Sequence, residues 1–290
     1  MPVSTMGTAT ADRRPTGTEE TSERRGRRWS ARAIGRLGAF YLPLGLAGVM
    51  TVAFLPELLA TLVTGWTAEA GAELGIHRLH VMGIAAVVAV FLLGLFAQAY
   101  RPKTRVASMW GAFAVILAIS IATVVYGVGR PEEVLPFLLV TSVALVAHPA
   151  GRGLLRRSER FSPTLLALVV LAAIPLGAFV VGQLSLSTST VDPHALDGHY
   201  VMMAGLAIAP LAYGLVAALG FQGVRLAAWL AALPMVYYGL LSISFPTQLG
   251  STGLLWGLAA ICWAIAFVAV AEHSRFGKSR TLRRLMRRSD

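Results

Sequence analysis

Two short polar stretches carry the residues most suited to chemistry. The first, Glu73-Leu74-Gly75-Ile76-His77-Arg78-Leu79-His80-Val81-Met82, opens a long apolar run, and the second, from Asp192 through His194, Asp197 and His199 to Met203, opens another. In a helix, positions 73, 77 and 80 follow i, i+4, i+7 spacing and form one stripe. Neutral imidazole is the commonest metal ligand and a usual axial ligand of haem iron, and a nearby carboxylate orients the ring and raises its basicity. His80 and His199 are the natural ligand pair, with His77 and His194 as further ligands or as neighbours of a haem propionate. A copper site is the alternative, because Met82 and Met202 lie close in sequence to His80 and His199 and thioether with imidazole suits Cu(I). Each of these residues also has a plainer use, in packing or at a wet helix end.

Glu57 is a third polar feature, set beside Pro56 in the outer half of the first apolar run. A carboxylate within the hydrocarbon layer is costly, so it is expected to face the bundle and serve as a proton or orienting group, as are Glu73 and Asp197. His148 and His273 close two other runs, where a cation complements the helix dipole; a second haem between them is the competing use.

The elements that position these groups follow from composition. The 290 residues are 56% hydrophobic and only 13% charged, with a mean hydropathy of +0.68, which places the chain among integral membrane proteins. Eight apolar runs recur at roughly 38–64, 81–99, 106–128, 134–150, 163–186, 200–221, 226–246 and 252–271, so the expected fold is all-α and polytopic. The fourth is the shortest. The net charge of +11 lies in tails and loops and reads as a topology signal rather than a nucleic-acid surface. With the first residue inside, every Lys and Arg except Arg78 and Arg130 falls on the cytoplasmic side. The expectation is a multi-pass protein of a bacterial plasma (inner) membrane with both termini cytoplasmic. Its one cysteine, Cys262, excludes an intrachain disulfide and any Cys-x-x-Cys motif.

Pro56 and Pro175, His80 and His199, and Trp110 and Trp229 share one offset of 119 residues, which superposes the first three runs on the fifth to seventh. The chain thus divides into a disordered cytoplasmic tail (1–36), a first four-helix repeat (37–158), a second, parallel four-helix repeat (159–273) and a basic cytoplasmic tail (274–290). Trp66, Trp110, Tyr41, Tyr100 and Tyr200 fall near run ends, as interfacial anchors do. Hydroxyls at Tyr237, Tyr238, Ser242 and Ser244 suit interhelical hydrogen bonds or a pocket lining. No phosphate-binding glycine loop and no Ser-His-Asp arrangement is present.

This outline resembles haem A synthase, an eight-helix membrane protein of two four-helix halves with haem-ligating histidines on paired helices. In that family the second helix opens with Glu-x-x-His-Arg; here Glu73 to Arg78 reads one residue longer. The family also carries histidines at the outer ends of its fourth and eighth helices, where this chain has Glu132-Glu133-Val134 and Gly250-Ser251-Thr252. The His-x-x-His opening is also similar to the low-spin haem helix of haem-copper oxidases, whose remaining ligands are absent. The expected function is binding of haem b or a metal ion near the outer face, in a redox or respiratory-assembly role with lipid and respiratory or assembly proteins as partners. A small proton-coupled permease using Glu57, and a non-catalytic structural subunit, are the rival classes. The residues name no reaction.

Overall fold

Proline, glycine and a few capping side chains set the helix limits along this chain. A computed structural model describes residues 31–157 and 160–286, with side chains from residue 34 to 273. Residues 1–30 of the expected tail, and the side chains of the basic segment 274–290, lie outside what is described. The described residues from Arg36 onward pack as one unit.

The long helices are α1 (Ala31–Thr64), α3 (Arg78–Phe96), α4 (Val106–Tyr126), α5 (Pro131–Val146), α6 (Pro163–Leu186), α8 (His199–Ala218), α9 (Val224–Ser244) and α10 (Gly253–Met286). Two short helices, α2 (Ala68–Leu74) and α7 (Pro193–Leu196), precede α3 and α8, and no strand is assigned among the described residues. Pro131, Pro163 and Pro193 sit in first helical turns, where a missing N–H costs nothing. Among the described residues seven helical segments are long and apolar enough to cross a membrane, so the chain is a multi-pass helical membrane protein. α5 is excluded from that set by its 16 residues, about 24 Å of helix.

The spans differ in what they face. In α3 and α8 two thirds of the apolar window is buried within the protein, whereas in α1 it is 11% and in α6 17%, so the first pair forms the core and the second pair the rim. α3, α4, α8 and α9 all pack on one another; α5 lies against α4, α10 against α9, and α6 against α8. At the middle of this core the Tyr213 ring, fully buried, donates its hydroxyl to the Val90 carbonyl at 3.2 Å and fills the space left by Gly94 and Gly111. Glycines there let three helices approach around one aromatic ring.

At the opposite end from the histidine-bearing helix starts, past the end of α5, His148 is fully buried against Phe40. Its Nδ1 accepts the Ala150 N–H at 3.1 Å, which fixes the other nitrogen as the donor to Gln98 Oε1 at 3.1 Å. Gln98 in turn donates to Ser108 and to the Arg105 carbonyl. Neither ring nitrogen is left for a ligand, so this histidine ties α3, α4 and the loop after α5 together. Burial pushes its pKa down to about 4. Because the folded value lies below the unfolded one of about 6.5, the stabilisation is complete above that pH and is lost as pH falls toward 4. His148→Asn should therefore flatten the acid-side fall in melting temperature between about pH 6.5 and 4, a window in which the wild type loses on the order of 2–3 kcal/mol. Equal slopes in the two proteins would rule this out.

Candidate metal centre

The chain does not run as one helix through Glu73, His77 and His80. Thr67 caps α2 by accepting the Ala70 N–H, but Gly75 adopts φ 53°, and one 3-10 turn at Gly75–His77 intervenes before α3. The continuous Glu-His-His stripe expected from the sequence is thereby broken. Glu73 is exposed on α2, while His77 and His80 turn inward. Arg78 fixes the break. It is buried, donates Nε to the Gly65 carbonyl at 2.7 Å and Nη2 to the Thr67 carbonyl at 2.9 Å, and lies 3.9 Å over the Phe245 ring. The chain leaving α1 is thus tied to the start of α3 and to the end of α9.

The second stretch is built by Asp192. Its Oδ1 caps α7 by accepting the His194 N–H at 2.9 Å and lies 3.0 Å from the same residue's Nδ1; its Oδ2 accepts the Tyr200 hydroxyl at 2.7 Å. The hydrogen bond from Tyr200, followed by those from His194, holds the carboxyl below its usual range. An ionised carboxylate can only accept, so Nδ1 of His194 carries the proton and Nε2 carries the free lone pair. Gly198, with φ 74°, then turns the chain into α8 against Gly129, and the Gly129 N–H bonds the Leu196 carbonyl at 3.1 Å.

These two stretches meet. The ring centroids of His77 and His194 are 4.2 Å apart and stacked; His80 lies 4.8 Å from His194, and His199 lies 5.4 Å from His77 and 5.7 Å from His194. One nitrogen from each of His77, His194 and His199 falls within 4.8 Å of the others. Nine buried side-chain polar atoms have no hydrogen-bond partner among the described residues, and five of them are nitrogens of this cluster: His77 Nδ1, both nitrogens of His80, His194 Nε2 and His199 Nδ1. Buried polar atoms are ordinarily paired, and leaving one unpaired costs about 1–3 kcal/mol, so unpartnered nitrogens on His77, His194 and His199, three rings that each bring a nitrogen within 4.8 Å of the others, describe a site suited to a ligand that accepts lone pairs. The carboxylate-to-His194 contact is the arrangement that orients metal-bound imidazoles, fixing the tautomer and raising basicity.

The other sequence candidates fall elsewhere. Glu57 is exposed on α1 and Asp197 is exposed in the loop before α8. Met82 is fully buried with its thioether at Gly65, Met202 is half-buried against the apolar core, and the neighbouring Met203 packs at Gly83. His80 and His199 are 6.2 Å apart with nearly parallel rings; His194 stands beside both, and His77 beside His199. The orienting pair Asp192 and Tyr200 is the part that sequence reasoning did not assign. Tyr200, expected at the membrane interface, is 2% exposed and turned toward Asp192. Comparison with protein-family models, with curated proteins and with solved structures finds no match to this chain.

Proposed function

We propose that this chain is an eight-span protein of the bacterial plasma membrane that holds one transition-metal ion near the outer face through His77, His194 and His199, with His80 as a fourth donor. The grouping of His77, His194 and His199, one nitrogen of each within 4.8 Å of the others, beside an ionised carboxylate that orients His194, carries the reading. Imidazole donors in this number suit Zn²⁺ or copper. A tetrahedral ion with bonds of about 2.0–2.1 Å needs the nitrogens somewhat closer together than they stand here, a contraction within reach of side-chain rotation. A single ion is favoured over haem b, since His80 and His199 stand only 6.2 Å apart with the His194 ring against both of them, which leaves no slot for a flat macrocycle. The resemblance to haem A synthase supports a redox or respiratory-assembly setting.

Taking α5 as a short eighth crossing supports cytoplasmic ends, because only then do Arg152 to Arg160 join the other basic segments on one side. The packing of α4 with α5 and of α9 with α10, around adjacent α3 and α8, accords with a pseudo-two-fold relation between the halves. The permease reading gains nothing from exposed Glu57 or from a core closed at Tyr213.

The test is metal analysis of chelator-stripped, full-length protein after titration with Zn²⁺ and with copper, followed by X-ray absorption. One bound ion per chain with a nitrogen shell near about 2.0–2.1 Å is expected. No uptake of either metal would overturn the reading, and a reduced-minus-oxidised haem band lost in His80→Ala would restore the haem alternative. Asp192→Asn keeps the shape but removes the charge that orients His194, and is expected to weaken metal affinity about 10- to 100-fold without unfolding the protein. Titration of the variant against a competing chelator reads this directly.

A further inference from the structure

Beside the histidine cluster, α6, α8, α9 and α10 enclose a cavity of about 750 Å³. All four helices are membrane-spanning, so the opening of the cavity faces acyl chains rather than water. Its walls are apolar, from Pro175 and Phe179 through Leu206 and Met235 to Trp256 and Trp263, and the only hydroxyls among its lining residues are those of Tyr238 and Thr252. The Trp263 indole N–H is already committed to the Leu168 carbonyl at 2.8 Å. The volume lies in the range of about 300–1,000 Å³ that small-molecule sites occupy.

The hydroxyl end of this cavity abuts the histidines. Tyr238 donates its hydroxyl to the Gly250 carbonyl, and the same glycine lies so close to His80 that a methyl group on it would come 3.1 Å from the imidazole Cε1 and Nε2. Thr252 bonds to Ser242 at 3.2 Å, completing a polar patch at this end. One glycine backbone therefore separates an apolar slot from the cluster of imidazoles. Tyr238, which donates to Gly250, shares this polar patch with the hydroxyls of Ser242 and Thr252.

We propose that this cavity binds a single-chain membrane lipid bearing a hydroxyl head, its chain along α6 and α10 and its head at Tyr238 and Thr252, next to His80. What the head then meets rests on the metal reading above; the binding of the chain does not.

The probe is hexadecanol carrying a mid-chain diazirine, photolysed with the full-length protein in phosphatidylcholine nanodiscs. Label is expected in residues 171–179 and 252–263, saturable and displaced by unlabelled hexadecanol. Ala259 lines the cavity from its exposed side, so Ala259→Trp fills the slot without entering the core and should cut labelling at least tenfold. Label spread evenly over lipid-facing helices, including Val49, Val52 and Val63 of α1, or labelling unchanged in Ala259→Trp, would mean ordinary bilayer contact and overturn the proposal. Zn²⁺ binding is measured on the same samples. Cavity labelling in a protein that takes up no metal sinks the metal reading and leaves this one standing; metal uptake with diffuse label does the reverse.

Discussion

Substituting His194 with alanine is expected to lower Zn²⁺ affinity at least about 100-fold, more than the loss of any orienting partner. His194 is the one cluster residue whose tautomer the structure determines: its Nδ1–H donates to Asp192, and Nε2 is left buried and unpartnered. The variant removes that donor, and it also removes the ring that stacks on His77 at 4.2 Å and approaches His80 at 4.8 Å. Without His194 only His77, His199 and the fourth donor His80 remain, and three imidazoles hold an ion against water less strongly than four. Competition with a chelating dye gives the affinity, and a melting curve without metal shows whether the fold survives. Asp192 keeps its bond from Tyr200 and is partly exposed, so the metal-free variant should melt within a few degrees of the wild type. An affinity within threefold of the wild type would remove His194 from the ligand set. A second expectation follows from linkage: metal should raise the melting temperature of the wild type in proportion to the logarithm of its concentration, and should do so in the variant only at concentrations at least about 100-fold higher.

The membrane-spanning class was legible because bilayer thickness imposes a run length that composition alone can satisfy. The meeting of the two histidine stretches was legible for a different reason. Each stretch opens an apolar run, and the helices that these runs form, α3 and α8, lie against one another. What the sequence hid was local. Gly75 looks like any glycine in a helical run, yet its positive φ breaks the stripe and sends Glu73 to the surface. Asp192 did offer a signal, since Asp-Pro two residues before a histidine is a helix-start pattern whose carboxylate reaches the next turn's N–H. That it also grips the imidazole and Tyr200 depends on a bond spanning eight residues, which no periodicity reports. The methionines illustrate the opposite case: Met82 and Met203 sit close to histidines in sequence, but small residues at Gly65 and Gly83 offered them notches elsewhere. Glu57 was expected inside because charge is costly in lipid; its exposure on α1 belongs to a helix that buries little of itself against the rest of the chain.

The largest loss of stability is expected at Gly111. A methyl group there would stand 2.1 Å from Cδ1 and 2.3 Å from Cε1 of Tyr213, far inside van der Waals contact. The ring has nowhere to retreat. On its other side Gly94 already approaches so closely that a methyl group would meet the hydroxyl at 2.0 Å, and that hydroxyl is bonded to the Val90 carbonyl. Gly111→Ala must therefore separate α4 from α8 or expel the ring, and overpacking of a buried site costs about 1–3 kcal/mol even where neighbours can adjust. With a rigid aromatic wedged between two helices the cost should reach about 3 kcal/mol or more, seen as a large fall in melting temperature in detergent. Tyr213→Leu alone also destabilises, by opening a void and losing the Val90 bond, but it vacates the space the methyl group needs. The double variant should thus be more stable than the sum of the single effects implies, by about 1 kcal/mol or more. Additive losses would show that the ring and the glycine do not share this space. Because α3 and α8 carry His77, His80 and His199 at one end and clasp Tyr213 in the middle, the same Gly111→Ala variant should also bind metal more weakly, while Tyr213→Leu restores part of that affinity along with the stability.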